Sequence, residues 1–237
     1  MIVLRGRHLC WMGLFLCFVA ALAAVLWHGS AAYTSAFSVS SFDEGPTVVV
    51  DAGPGGEDGG AVAADGTVEA GLNLAIALRT RDLLTFAGVD TVMTRSGDAA
   101  IYDDSAATLR EKKVSDLKNR AALVNDTPNA VLLSIHQNSL PSSPATHGAQ
   151  VFFNGAEGAV PLASGVQEAL NQAVNTEKAK SPAAIGSSVY LMQNITAPGI
   201  LVECGFLTNE AEAALLQTPE HQLRLAAAIT AGLLNAS

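Results

Sequence analysis

Residues 130–138 read Ala130-Val131-Leu132-Leu133-Ser134-Ile135-His136-Gln137-Asn138, a near-continuous apolar run closed by three polar side chains. So short an apolar run marks a strand covered on both faces, the situation of an inner strand in a parallel sheet flanked by helices. Upstream, Thr47-Val48-Val49-Val50 is β-branched and runs into Asp51-Ala52-Gly53, a strand feeding a glycine-rich loop. Further strands are predicted at 89–93, 148–153, 187–192 and 199–202. Helical spacing predicts helices at 72–84 (stopped by Gly88), 114–124 (ended by Asn125-Asp126), 159–174, 210–216 and 219–234, while 96–109 is polar and irregular. This alternation predicts one α/β domain over 47–237, three-layered, with a mostly parallel central sheet of about five to six strands flanked by helices. In such sheets ligands gather at the carboxyl ends of strands. Three polar groupings fall there, namely Asp51 to Asp58, His136-Gln137-Asn138 and Glu203, and Glu69 stands just before the first predicted helix.

Composition narrows the function. The chain has 237 residues, a formal net charge of −9 and 15% charged residues. Without the first 45 residues the balance is unchanged, because Arg5 and Arg7 leave together with Asp43 and Glu44. A domain this acidic does not suit nucleic acid or a polybasic membrane contact. Of three cysteines, Cys10 and Cys17 lie in an apolar N-terminal stretch, so Cys204 stands alone in the domain. That excludes a disulfide framework and reads best as a buried small hydrophobe. His147 and His221 read as surface residues.

Residues 1–28 form an export segment and 29–46 a short polar linker. Arg5 and Arg7 precede an uncharged stretch from Leu9 to Trp27, near the ~20 residues that span a hydrocarbon core. Positive charge ahead of it places the N-terminus in the cytoplasm and the domain outside. Small residues after it (Gly29, Ser30, Ala31, Ala32) also fit signal-peptidase cleavage, so membrane anchoring through this segment and release both remain open.

Four blocks carry a resemblance. Asp51-Ala52-Gly53-Pro54-Gly55-Gly56, Glu69 with Asn73-Leu74, Ser134 to Asn138, and Val202-Glu203-Cys204-Gly205-Phe206-Leu207-Thr208-Asn209 resemble, in order and spacing, the zinc-dependent N-acetylmuramoyl-L-alanine amidases of bacterial cell walls, amidase type 3. Finer features, including Glu57 to Val62, Lys112-Lys113-Val114 and Ser188-Val189-Tyr190-Leu191, are similar to the spore-cortex, germination-specific branch. The resemblance implies hydrolysis of the amide between muramic acid and L-alanine in peptidoglycan, in cortex formation or wall remodelling, and in some bacteria a separate lipoprotein activator. It also implies zinc held by a histidine of the first loop, by Glu69 and by His136, with Glu203 as general base and then acid. Three protein ligands leave a fourth position for a water that the metal acidifies. Asn138 would orient His136 or touch substrate, and reads equally well as a turn residue, while Asp51 would support a ligand's second ring nitrogen.

One position departs from this pattern. Pro54 stands where the family keeps a zinc-binding histidine, and proline has no donor atom. Zinc is therefore expected to bind weakly, through Glu69 and His136. Either another side chain (Asp51, Glu57, Asp58 or His147) or a partner completes the set, or the chain is a catalytically degenerate, amidase-like peptidoglycan-binding protein.

Overall fold

The computed structural model describes residues 45–236. The export segment and most of the linker lie outside the described residues. Six strands form one sheet: β1 (Thr47–Asp51), β2 (Thr91–Met93), β3 (Ala130–Asn138), β4 (Gln150–Phe153), β5 (Ala183–Ala184) and β6 (Gly199–Phe206). Their order across the sheet is β2-β1-β3-β6-β4-β5. The first four in that order run parallel, β4 runs antiparallel to β6, and β5 follows β4. Helices α1 (Glu69–Phe86), α2 (Leu109–Asp126), α3 (Ala159–Ala173), α4 (Tyr190–Gln193), α5 (Glu210–Leu216) and α6 (Pro219–Ala236) cover both faces. The expected fold class is borne out.

The apolar run of β3 explains itself by alternation. Val131, Leu133 and Ile135 join the cluster containing Leu72 and Ile76 of α1, Val166 of α3 and Ile229 of α6. Leu132 faces the other way, with Val49, Leu201, Ala121 and Val124 of α2, and Leu191 and Met192 of α4. With both faces buried, the positions before the carboxyl end are apolar except Ser134, whose buried hydroxyl donates to Asp51 Oδ2 at 2.6 Å. The same alternation in β1 and β6 sends Asp51 and Glu203 to the α2 face, the side of Val49 and Leu201.

Two of the differences from expectation have a clear local reason. Helix α2 starts earlier than the apolar spacing indicates because Thr108 and Glu111 form a capping box, Glu111 N–H donating to Thr108 Oγ1 at 3.2 Å and Thr108 N–H to Glu111 Oε2 at 2.9 Å. Residues 187–192 are not a strand. The edge position beside β4 is taken by Ala183-Ala184, and the adjacent Leu191 and Met192 are both buried, as successive residues on one turn of α4. A strand would have turned one of them away.

Candidate functional site

At the carboxyl ends of the parallel strands, Asp51 pairs in register with Ser134, and His136 with Glu203. These four residues share the α2 face. Glu69, the first residue of α1 and 6% exposed, approaches from the loop side. Its Oε1 meets His136 Nδ1 at 3.0 Å and accepts from Asn73 Nδ2 at 3.0 Å and from Gln137 N–H at 3.3 Å. Its Oε2 accepts from Ala61 N–H at 2.9 Å. Gly60, at φ +72°, must be bare, since a Cβ there would strike Glu69 Oε2 and come within 2.8 Å of Pro54 Cγ. Pro54, Glu69 and His136 thus line one cleft of about 270 Å³, with Asp58, Tyr190 and Leu191.

The charges are mutually supporting. Burial pushes the Glu69 carboxyl up, but the bond and charge of His136 and the Ala61 N–H outweigh it and hold it below its ordinary value. Burial lowers His136, and the Glu69 bond together with the charges of Glu203, Glu69 and Asp51 raise it overall. At Glu203 the relief is too small. Burial, with a further push from Glu69 against the pull of His136, raises its carboxyl to about 7, and its buried Oε2 has no hydrogen-bond partner among the described residues.

Beneath the cleft lies an ion network absent from the sequence reading. Arg120, 1% exposed, meets Asp51 Oδ1 at 2.6 Å and Asp116 Oδ2 at 2.7 Å, and it also donates to the Gly53 carbonyl. Asp51 further accepts from Ser134 Oγ at 2.6 Å and Thr94 Oγ1 at 2.8 Å. Burial raises the Asp51 carboxyl, yet the Arg120 guanidinium brings it below the usual range. The expected support of a ligand imidazole by Asp51 is therefore corrected. Its oxygens serve Arg120, Ser134 and Thr94, and the His136 ring nitrogen nearest a carboxylate faces Glu69. Asp51→Ala is expected to cost about 3–5 kcal/mol in urea unfolding, because it strips a buried guanidinium of a partner. A loss under about 1 kcal/mol would remove this pair from the anchoring role.

Of the other expected residues, only Asp58 shares the cleft. Asn138 ends β3 opposite Phe206, and its carbonyl accepts the Leu207 N–H at 2.8 Å. Glu57 pairs with Lys112, and Asp58 with Lys113 at 2.8 Å. His147 lies 3.8 Å from Glu177 in a separate, larger groove that contains neither Glu69, His136 nor Glu203. Cys204 is buried as expected, and burial pushes its thiol far above the ordinary value. His221 is corrected. It is 6% exposed, packed by α6 rather than left at the surface. Among the described residues no three His, Cys, Asp or Glu side chains come together to hold a metal. Glu69 and His136 supply two donors and the Pro54 ring none, so the residues present do not fit a zinc held by three protein ligands.

The α/β sheet brings carboxylates and an imidazole together toward the carboxyl ends of its strands, a set of groups able to move protons in a hydrolysis. The chain belongs to the N-acetylmuramoyl-L-alanine amidase family (amidase type 3), which matches residues 48–235. It is 37% identical over 192 residues to the germination-specific N-acetylmuramoyl-L-alanine amidase of Bacillus subtilis (strain 168), covering 80% of this chain and 79% of that protein. Among solved structures, the CwlD amidase from Clostridioides difficile, in complex with the GerS lipoprotein, aligns with TM-score 0.77 and 32% identity over 81% of this chain and 98% of that one. An N-acetylmuramoyl-L-alanine amidase from Clostridium difficile 630 aligns with TM-score 0.70 and 28% identity, over 80% of this chain and 95% of that one. Among the described residues, no helix is long and apolar enough to cross a membrane.

Proposed function

We propose that the chain hydrolyses the amide between the lactyl group of muramic acid and L-alanine in peptidoglycan, outside the cytoplasmic membrane. The observation that carries this reading is Glu203, a half-buried residue whose buried Oε2 has no hydrogen-bond partner among the described residues, in register with His136. Near neutrality it exists in both protonation states. It can therefore take a proton from water attacking the carbonyl carbon and return it to the departing alanine nitrogen as the C–N bond breaks. Glu69 and His136 are the metal donors in this reading, with zinc held weakly for want of a third. Kinship with germination-specific and CwlD amidases supports a role in spore cortex, with an extracytoplasmic lipoprotein as partner and the N-terminal segment as export signal or anchor. The same kinship favours an amidase over a binding protein that has lost turnover.

The test is a digest of purified peptidoglycan with the full chain, with and without added zinc, analysed by mass spectrometry. Free stem peptides beginning in L-alanine, alongside glycan bearing unsubstituted lactyl groups, are expected. Cleavage within the glycan or within the stem instead would overturn the assignment, and tight retention with no released peptide would point to the binding protein.

A further inference from the structure

Arg95 follows the end of β2 and lies under the loop that carries Pro54, with 4% of its surface exposed. Its Nη2 donates to the carbonyls of Ala52 at 2.7 Å, Pro54 at 2.7 Å and Ala70 at 2.8 Å, while Nη1 donates to Gly97 O at 3.0 Å. The first two acceptors bracket residue 53, and the third follows Glu69 in the first turn of α1. One guanidinium therefore ties the backbone of residue 54 to the turn that presents Glu69. Gly55 rests on the same side chain, for a Cβ there would come within 2.7 Å of Arg95 Nε and 2.8 Å of its Cδ. Arg120 takes the Gly53 carbonyl from the α2 side. Every one of these acceptors is a backbone carbonyl, so none of the bonds uses the side chain of residue 54.

We propose that Arg95 is a positioning residue that fixes the backbone of residue 54 against Glu69, so that the missing donor is a defect of one side chain and not of the loop. This rests on the reading of Glu69 and His136 as metal donors. Lysine keeps the charge, but its nitrogen ends one bond short of Nη2 and lacks the planar fork.

Two measurements on Arg95→Lys test the proposal. In the otherwise native chain without metal, amide hydrogen exchange at Ala52, Gly53, Gly55 and Gly56 is expected to quicken by at least about tenfold, with the amides of β3 and β6 unchanged. In a Pro54→His background, cobalt(II) titration followed by visible absorption is expected to give about 10–100-fold weaker affinity once Arg95→Lys is added. Unchanged loop exchange or unchanged cobalt affinity overturns the proposal. So does exchange that quickens throughout the chain, since Arg95 would then be a general stability residue. If Pro54→His alone takes up no cobalt, the donor reading of Glu69 and His136 falls, and the exchange result still decides whether Arg95 holds the loop.

Discussion

Pro54→His is expected to raise zinc affinity by more than about 100-fold, roughly 3 kcal/mol, and to raise stem-peptide release with it. The figure is a floor, since changes beyond the ligands themselves already cost about 10–100-fold in other metal sites. The geometry favours a large effect. The Pro54 ring reaches the same bare Gly60 that Glu69 Oε2 touches, and it lines the cleft with the Glu69–His136 pair. A ring nitrogen placed there joins two donors already 3.0 Å apart. The substitution also makes available a backbone N–H and relaxes a fixed φ, effects of a few tenths of a kcal/mol to about 1 kcal/mol that cannot offset a metal ligand. Metal content after dialysis and calorimetric titration of both chains measure the gain. Equal affinity in the two would mean that residue 54 does not face the donors, or that the native chain completes its site by another route.

The second large effect is at Glu203. Glu203→Gln is expected to lower stem-peptide release by about 10²–10⁴-fold, the usual worth of a general base, while binding of intact peptidoglycan is retained. The same change is expected to stabilise the fold in alkaline buffer. A carboxyl whose folded value lies above its unfolded one holds its proton more tightly in the folded chain. The folded state is then favoured at low pH, and the advantage is lost as pH rises from about 4.5 to about 7. Above that range the buried charge costs about 3 kcal/mol, which glutamine does not incur. Urea unfolding in chelator should show the variant ahead of the native chain at pH 8 and level with it near pH 4.5. A variant less stable at both pH values would contradict the picture of Glu203 as an unrelieved buried charge. Lost turnover with gained stability is the mark of a residue kept for chemistry.

Much of this was legible in the sequence because the determining signals are local. A run of apolar residues at 130–135 announces a strand covered twice, and the polar residues that end it mark the rim where ligands collect. His136 and Glu203 could be found that way, since each follows directly on an apolar run, 130–135 and 199–202. Glu69 needed the resemblance, as a carboxylate at a helix start has an ordinary reading of its own. What stayed hidden depends on distance along the chain. The Asp51–Arg120 pair joins residues 69 positions apart, and it forms because α2 packs on the sheet face that Val49 and Leu132 share. Arg95 carries no local signal of its bonds to residues 52, 54 and 70; the available clue is a cation just beyond a strand's carboxyl end in a strongly acidic domain. Residues 187–192 misled for a related reason. Val189 and Tyr190 favour strands, and only the tertiary arrangement shows that the edge beside β4 is already occupied and that Leu191 and Met192 are needed together beneath the sheet.

The sheet's two rims are short, with three residues in β2 and two in β5. A rim exposes unpaired N–H and C=O groups, and the length of that row sets how firmly a stray strand from another molecule can attach. Here a passing chain finds room for a few ladder bonds at either side, too few to hold it. Crowded solutions of the domain should therefore resist edge-to-edge aggregation, and any lasting association between copies has to be built from side chains.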